Sequence, residues 1–142
     1  MTILIKKIIN NAPFWVGIWL LWMGAIFAFS HMPGSATYYE PSWALLIERK
    51  GAHVVEYAVL FLLSTQVFSF WFQKASLKKI MIISLVWSLT YAISDELHQF
   101  FTPYRGASLR DVAIDLFGIL LVFTPLYLKV NFQKKENSSQ KK

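Results

Sequence analysis

The sequence predicts an all-α fold, an integral membrane four-helix bundle with both termini in the cytoplasm. Three observations carry this reading. The chain has four apolar stretches of roughly membrane-spanning length, about 20 residues each. It is 56% hydrophobic and 17% aromatic, with mean hydropathy +0.44, more apolar than an ordinary soluble domain. Its basic residues also sort strongly between the two sides that four crossings define.

The spans are expected at about 14–30, 53–72, 80–99 and 111–130, within a single domain of residues 1–130. The first follows Lys6 and Lys7 and carries Trp15, Trp19 and Trp22. Ala28-Phe29-Ser30 resembles a small-residue cleavage site, but the tryptophans favour a retained helix anchored at the interface. Pro33, Gly34 and Pro41 break the helix after it, and Trp43 to Glu48 has an apolar side suited to the membrane interface. The second span contains AVLFLLSTQVFSFWF, with no polar stripe wide enough for a solvated face, which excludes a soluble bundle. The third begins near Ile80, and its helix is open to continuation through Phe101. The fourth starts after Pro103 and Gly106, which mark a turn. Residues 131–142 form a polar tail, expected to be disordered and cytoplasmic.

With the N-terminus in the cytoplasm, ten of the fourteen basic residues lie inside and four outside; seven of the eight acidic residues lie outside. This predicts a multi-pass membrane protein with its lysine-rich side in the cytoplasm. The sequence pI near 9.6 then reflects inner lysines at anionic lipid rather than a nucleic-acid partner. Cysteine is absent, which excludes disulfides and thiolate metal sites.

Ionisable residues within or beside spans usually face a bundle interior or mark a site. Here they are His53, Glu56, Asp95, Glu96, His98, Asp111 and Asp115. Lys50, His53 and Tyr57 follow at spacings of three and four, so they share one helix face. End anchoring explains Lys50 and Tyr57, but explains His53 and Glu56 poorly. Asp95 and Glu96 are adjacent, so one is expected inward and the other toward the interface or a basic partner. Glu96 with Gln99 is the inward choice. Ser108 is an N-cap candidate with Asp111 at the capping-box position, a structural role for both. Asp115 lies one turn deeper and needs a pair, a proton or a polar cavity. Arg105 is the expected counter-charge, either clamping Glu96 or Asp111 or holding a lipid phosphate.

The ordered set Lys50-x-x-His53-x-x-x-Tyr57, Asp95-Glu96-x-x-Gln99 and Arg105-x-x-Ser108-x-x-Asp111-x-x-x-Asp115-x-x-Gly118 resembles the VanZ-like family, named for a membrane protein associated with teicoplanin resistance. The resemblance covers about residues 50–121. The chain departs from the pattern at Asp115, where the family has asparagine, and His98 lies outside it. The resemblance implies a small bacterial multi-span protein with an outward-facing polar site.

Two functions compete. One is an envelope protein that binds a membrane lipid or lipid-linked cell-wall precursor and affects glycopeptide susceptibility. Its ligand-binding candidates are Lys50, His53, Tyr57, Glu96, Gln99, Arg105, Ser108 and Asp111. The other is a membrane enzyme acting on a lipid or lipid-linked sugar. Its acid-base candidates are Glu96 and His53, with Asp111 or Asp115 orienting them or binding a metal. The carboxylates and histidines suit a hard divalent cation, but no HExxH spacing supports one. Four short spans without broken-helix repeats argue against a transporter.

Overall fold

The computed structural model describes residues 11–32, 43–103 and 105–139. Four helices follow in order: α1 (Ala12–His31), α2 (Trp43–Trp71), α3 (Leu77–Gln99) and α4 (Leu109–Ser139). Each contains a segment long and apolar enough to cross a membrane: Ala12–His31, Lys50–Trp71, Leu77–Gln99 and Leu109–Gln133. The described residues thus form an all-α membrane-spanning bundle.

The helix starts follow local rules. The side chain of Asn11 accepts a hydrogen bond from the Phe14 amide at 3.3 Å, with Pro13 in the first turn of α1. Ser76 caps α3 in the same way through the Lys79 amide, at 3.4 Å. Two boundaries differ from expectation. Helix α2 begins at Trp43, well before the expected span, and α4 continues through Ser139 instead of giving way to a disordered tail. The side chains that would decide the interfacial role of Trp43 to Glu48 lie outside the described residues. Helix α4 also contains Pro125, which a membrane helix tolerates where neighbouring groups satisfy the freed carbonyl.

The inside of the bundle combines large apolar side chains such as Ile26, Leu60 and Phe61 with small and polar ones, and the outside is large and apolar. On α3, Met81, Ser84, Ser88, Ala92, Asp95 and Gln99 are buried at three- and four-residue spacing, while Ile82, Val86, Ile93 and Leu97 face outward. Small inner residues let helices approach closely where lipid supplies no hydrophobic drive. Gly118 gives the clearest case, because α4 there lies directly against the Val54 carbonyl of α2. Aromatic packing fills the half of the bundle near the α2–α3 turn, where the Trp19 ring meets Phe68 and Trp71 edge-on.

Helix α1 is the peripheral member, with only Trp19, Ile26 and Ser30 buried. It is held by indole and phenol hydrogen bonds along its length. Trp19 Nε1 donates to Ser64 Oγ at 3.0 Å and Trp22 Nε1 to the Glu56 carbonyl at 2.9 Å. Tyr91 Oη donates to the Met23 carbonyl at 2.7 Å. These pairings run α1 parallel to α3 and antiparallel to α2. At the end where α1 starts and α4 finishes, Lys78 bonds Asn131 and lies over the Tyr127 ring. The opposite end carries the described acidic side chains.

Candidate functional site

The polar end is assembled from the last turns of α1 and α3, the first turns of α4 and the corresponding stretch of α2. Four side chains bridge α2 to α4 as a ladder. Lys50 pairs with Asp111, and one turn deeper His53 Nδ1 meets Asp115 Oδ1 at 3.0 Å. The spacing of three on α2 and four on α4 keeps both pairs in register. Asp115 is fully buried, and its other oxygen, Oδ2, has no hydrogen-bond partner among the described residues.

A second group joins α1 to α3. Asp95 Oδ2 accepts from Ser30 Oγ at 2.6 Å and from Gln99 Nε2 at 3.0 Å, and Gln99 Nε2 also lies 3.3 Å from Ser30 Oγ. Arg105 Nη1 donates to the Ser30 carbonyl at 3.3 Å. Glu96 and Gln99 lie inward as expected, but Gln99 bonds Asp95, and the interfacial surroundings expected for the second carboxylate are corrected: Asp95 is 4% exposed against 3% for Glu96. The two adjacent carboxylates diverge by a helical step, yet both are covered, one by α1 and the other by the entry to α4.

Glu96 Oε2 accepts from the Ser108 amide at 2.8 Å. The capping arrangement is thus also corrected. A capping box would have Asp111 reach back to the Ser108 amide, but Glu96 of α3 does so instead, leaving Asp111 to Lys50. Arg105 forms no ion pair with a described carboxylate; the described pairs are Lys50–Asp111 and His53–Asp115. The clamp of Arg105 on Glu96 or Asp111 is absent, and the guanidinium holds a backbone carbonyl on α1.

A third feature lies at the α1–α3 edge. His31 Nδ1 and His98 Nε2 are 3.1 Å apart, and Phe27 packs on the His98 ring at a 4.5 Å centroid separation. No group of three or more described histidine or acidic side chains is arranged to hold a metal ion.

Six of the nine expected site residues therefore fall into two bonded groups. Lys50, His53, Asp111 and Asp115 form the α2–α4 ladder, and Gln99 and Arg105 join the α1–α3 group. Glu96 and Ser108 connect α3 to the start of α4, and the Tyr57 ring is fully buried on α2. Ser30 was missed as a site residue, although a lone serine at the end of an apolar helix was the available signal.

What the arrangement offers chemically is excess acceptor capacity. Tyr57 Oη, Asp95 Oδ1, Glu96 Oε1 and Asp115 Oδ2 are all buried without a hydrogen-bond partner among the described residues. No curated protein and no solved structure matches the chain significantly. Residues 14–130 match the VanZ/LLP1 family profile, covering all four helices and both bonded groups, and the chain belongs to the VanZ/LLP1 family.

Proposed function

We propose that the polar end faces the outside of a bacterial cytoplasmic membrane and binds the headgroup of a membrane lipid or lipid-linked cell-wall precursor. Through that binding it affects susceptibility to glycopeptide antibiotics. One observation carries the reading: Arg105 stands at the α3–α4 turn, half-buried, its guanidinium making a single described bond, to the Ser30 carbonyl, and no ion pair with a described carboxylate. A guanidinium has five N–H donors in a planar fork suited to phosphate. Glu56 lies within electrostatic reach of the guanidinium without forming an ion pair with it, which leaves most of that fork for a ligand at the membrane surface.

Reconstituted protein tests this through binding of a phosphate-bearing lipid. Arg105→Gln is expected to weaken binding about ten-fold, the equivalent of one lost charge-assisted contact of ~1.4 kcal/mol. Arg105→Lys keeps the charge, loses the fork and is expected to fall between. Thermal stability should fall only modestly, because the guanidinium is ion-paired to no described carboxylate and glutamine can still donate to the Ser30 carbonyl. Wild-type binding by Arg105→Gln would remove Arg105 from the site.

A second reading has its own support. His53 with Asp115 is a base with an orienting carboxylate, the arrangement that prepares an imidazole for proton transfer. In this reading the protein modifies or hydrolyses a lipid or lipid-linked sugar, with His53 as base and Glu96 as its acid-base partner. The bond from the Ser108 amide to Glu96 favours a structural duty for that carboxylate. Turnover of lipid precursors by wild type, abolished in His53→Gln with the fold retained, would select the enzyme.

A further inference from the structure

The acidic centre lies beneath Arg105 and has the opposite charge preference. Asp95, Glu96 and Asp115 are at least 96% buried, since their exposures are 4%, 3% and 0%. Only His53 is bonded to any of them as a potential cation. Each uses one carboxylate oxygen for the bonds described above and leaves the other unpartnered. Uncompensated carboxylates in a low-dielectric interior are costly, so the arrangement is stabilised by positive charge or by protons.

A non-acidic group reports on the same place. The Tyr57 hydroxyl is on a fully buried ring and has no described partner. It lies within electrostatic reach of Asp95, Asp115 and Glu56. Tyrosine hydroxyls buried in cores ordinarily find a partner. The Tyr57 hydroxyl of α2 and the free carboxylate oxygens of Asp95 on α3 and Asp115 on α4 therefore share one electrostatic neighbourhood in which acceptors outnumber donors.

The chemistry of the missing donor can be narrowed. The described imidazole and carboxylate groups do not gather three ligands around one metal position. A phosphate is repelled by three carboxylates. A hydroxyl supplies one donor and no charge. A primary ammonium supplies three donors and one positive charge. Ser30 joins this centre to the proposed phosphate contact, because its hydroxyl donates to Asp95 and its carbonyl accepts from Arg105.

We propose that the buried centre formed by Tyr57, Asp95 and Asp115 binds a primary ammonium group carried beside a phosphate, as in an aminophospholipid headgroup. The proposal rests on the headgroup reading above. The ligand places its phosphate at Arg105 and its ammonium one step deeper, so the site selects zwitterionic amines over anionic lipids.

The test uses the full chain in phosphatidylcholine nanodiscs, whose quaternary ammonium has no N–H donor. Phosphatidylethanolamine, phosphatidylglycerol or soluble ethanolamine is added, and lipid retention is read by native mass spectrometry and thermal unfolding by tryptophan fluorescence. Wild type is expected to retain phosphatidylethanolamine about ten-fold over phosphatidylglycerol, with a rise in Tm. Asp95→Asn and Asp115→Asn, which preserve side-chain shape, should each reduce that preference about ten-fold, the effect of one lost charge-assisted bond. Tyr57→Phe should reduce it less. Circular dichroism checks that the variants remain helical, and retention of phosphatidylcholine checks that they remain inserted.

Equal retention of both added lipids would overturn the ammonium centre while leaving the headgroup site standing. Retention of neither would overturn both. Stabilisation by ethanolamine alone would keep the ammonium centre and remove the lipid as its source. Undiminished preference in both asparagine variants would mean that the carboxylates hold protons or water only, and the proposal falls.

Discussion

Gly118 leaves no room for a side chain. A β-carbon there would collide with the Val54 carbonyl oxygen and lie 3.0 Å from both the Val54 Cα and carbonyl carbon. The obstacle is helix backbone, which does not swing aside. Gly118→Ala is therefore expected to separate α2 from α4 and destabilise the protein by about 1–3 kcal/mol, the usual cost of overpacking. Because the His53–Asp115 pair is one turn away, the displacement should also lengthen that bond. Denaturant unfolding in mild detergent checks the first effect, and the second appears as a change in the His53 imidazole NMR signal. The pair itself makes a sharper case. His53→Ala strands a fully buried carboxylate, and removing one partner of a buried pair costs about 3–5 kcal/mol. Asp115→Asn keeps an oxygen within reach of the imidazole and should cost much less. A double-mutant cycle with His53→Leu and Asp115→Leu is expected to give a coupled loss, with the double variant more stable than the sum of the singles. Additive losses would mean that the two side chains do not act as a pair.

At the level of elements, α1 is fastened at its polar end by Ser30, beside the His31–His98 contact. Ser30 gives its hydroxyl to Asp95 and its carbonyl to Arg105. Ser30→Ala removes the first bond and leaves a buried carboxylate oxygen with one partner fewer, a cost of about 1–3 kcal/mol. Since α1 is otherwise peripheral, the expected result is local: faster hydrogen exchange in the last turns of α1, with the α2–α4 ladder unchanged. Uniform acceleration across all helices would show that Ser30 supports the whole bundle. The four helices were legible from apolar length, which marks what crosses lipid. Their ends were not, because hydropathy does not mark where hydrogen bonding continues beyond it: α2 begins at Trp43 and α4 runs to Ser139. The polar residues were visible for the same reason that they are costly in a membrane, but their partners were not. Helical spacing put His53 and Asp115 on definite faces without saying that those faces meet. Asp95 and Glu96 were assigned opposite surroundings because they point in different directions on one helix. Both became buried because two different neighbours cover them. Arg105 lies in a turn, where no periodicity indicates a direction. Ser30 belonged to an apolar run and drew notice only as part of a cleavage-site pattern.

For the whole molecule, the bundle has two chemically different ends. Four crossings put the start of α1 and the end of α4 together, at the end where Lys78 and Asn131 meet. The described acidic side chains, the histidines and Arg105 gather at the other. Large apolar residues such as Leu21, at 75% exposure, and Leu62 line the surface between them, where lipid tails would cover them. Neither packing nor this apolar belt distinguishes the bundle from its inverted form; the flanking charges do. Ten basic residues flank one end and four the other, and basic residues near span ends are retained in the cytoplasm. The lysine-rich end is therefore expected inside and the acidic end outside. A cysteine introduced at Gly106, in the cysteine-free chain, should react with a membrane-impermeant maleimide in intact cells. One introduced at Gln73 should react only after permeabilisation. Moving positive charge should weaken this preference: Lys74→Gln with Lys78→Gln and Lys79→Gln removes three of the inner charges while leaving the acidic site intact. A mixture of orientations is then expected, with some labelling of the Gln73 position from outside. Labelling at Gln73 but not at Gly106 in the otherwise unaltered chain would invert the molecule, place the acidic end in the cytoplasm and remove it from any ligand that reaches the membrane from outside.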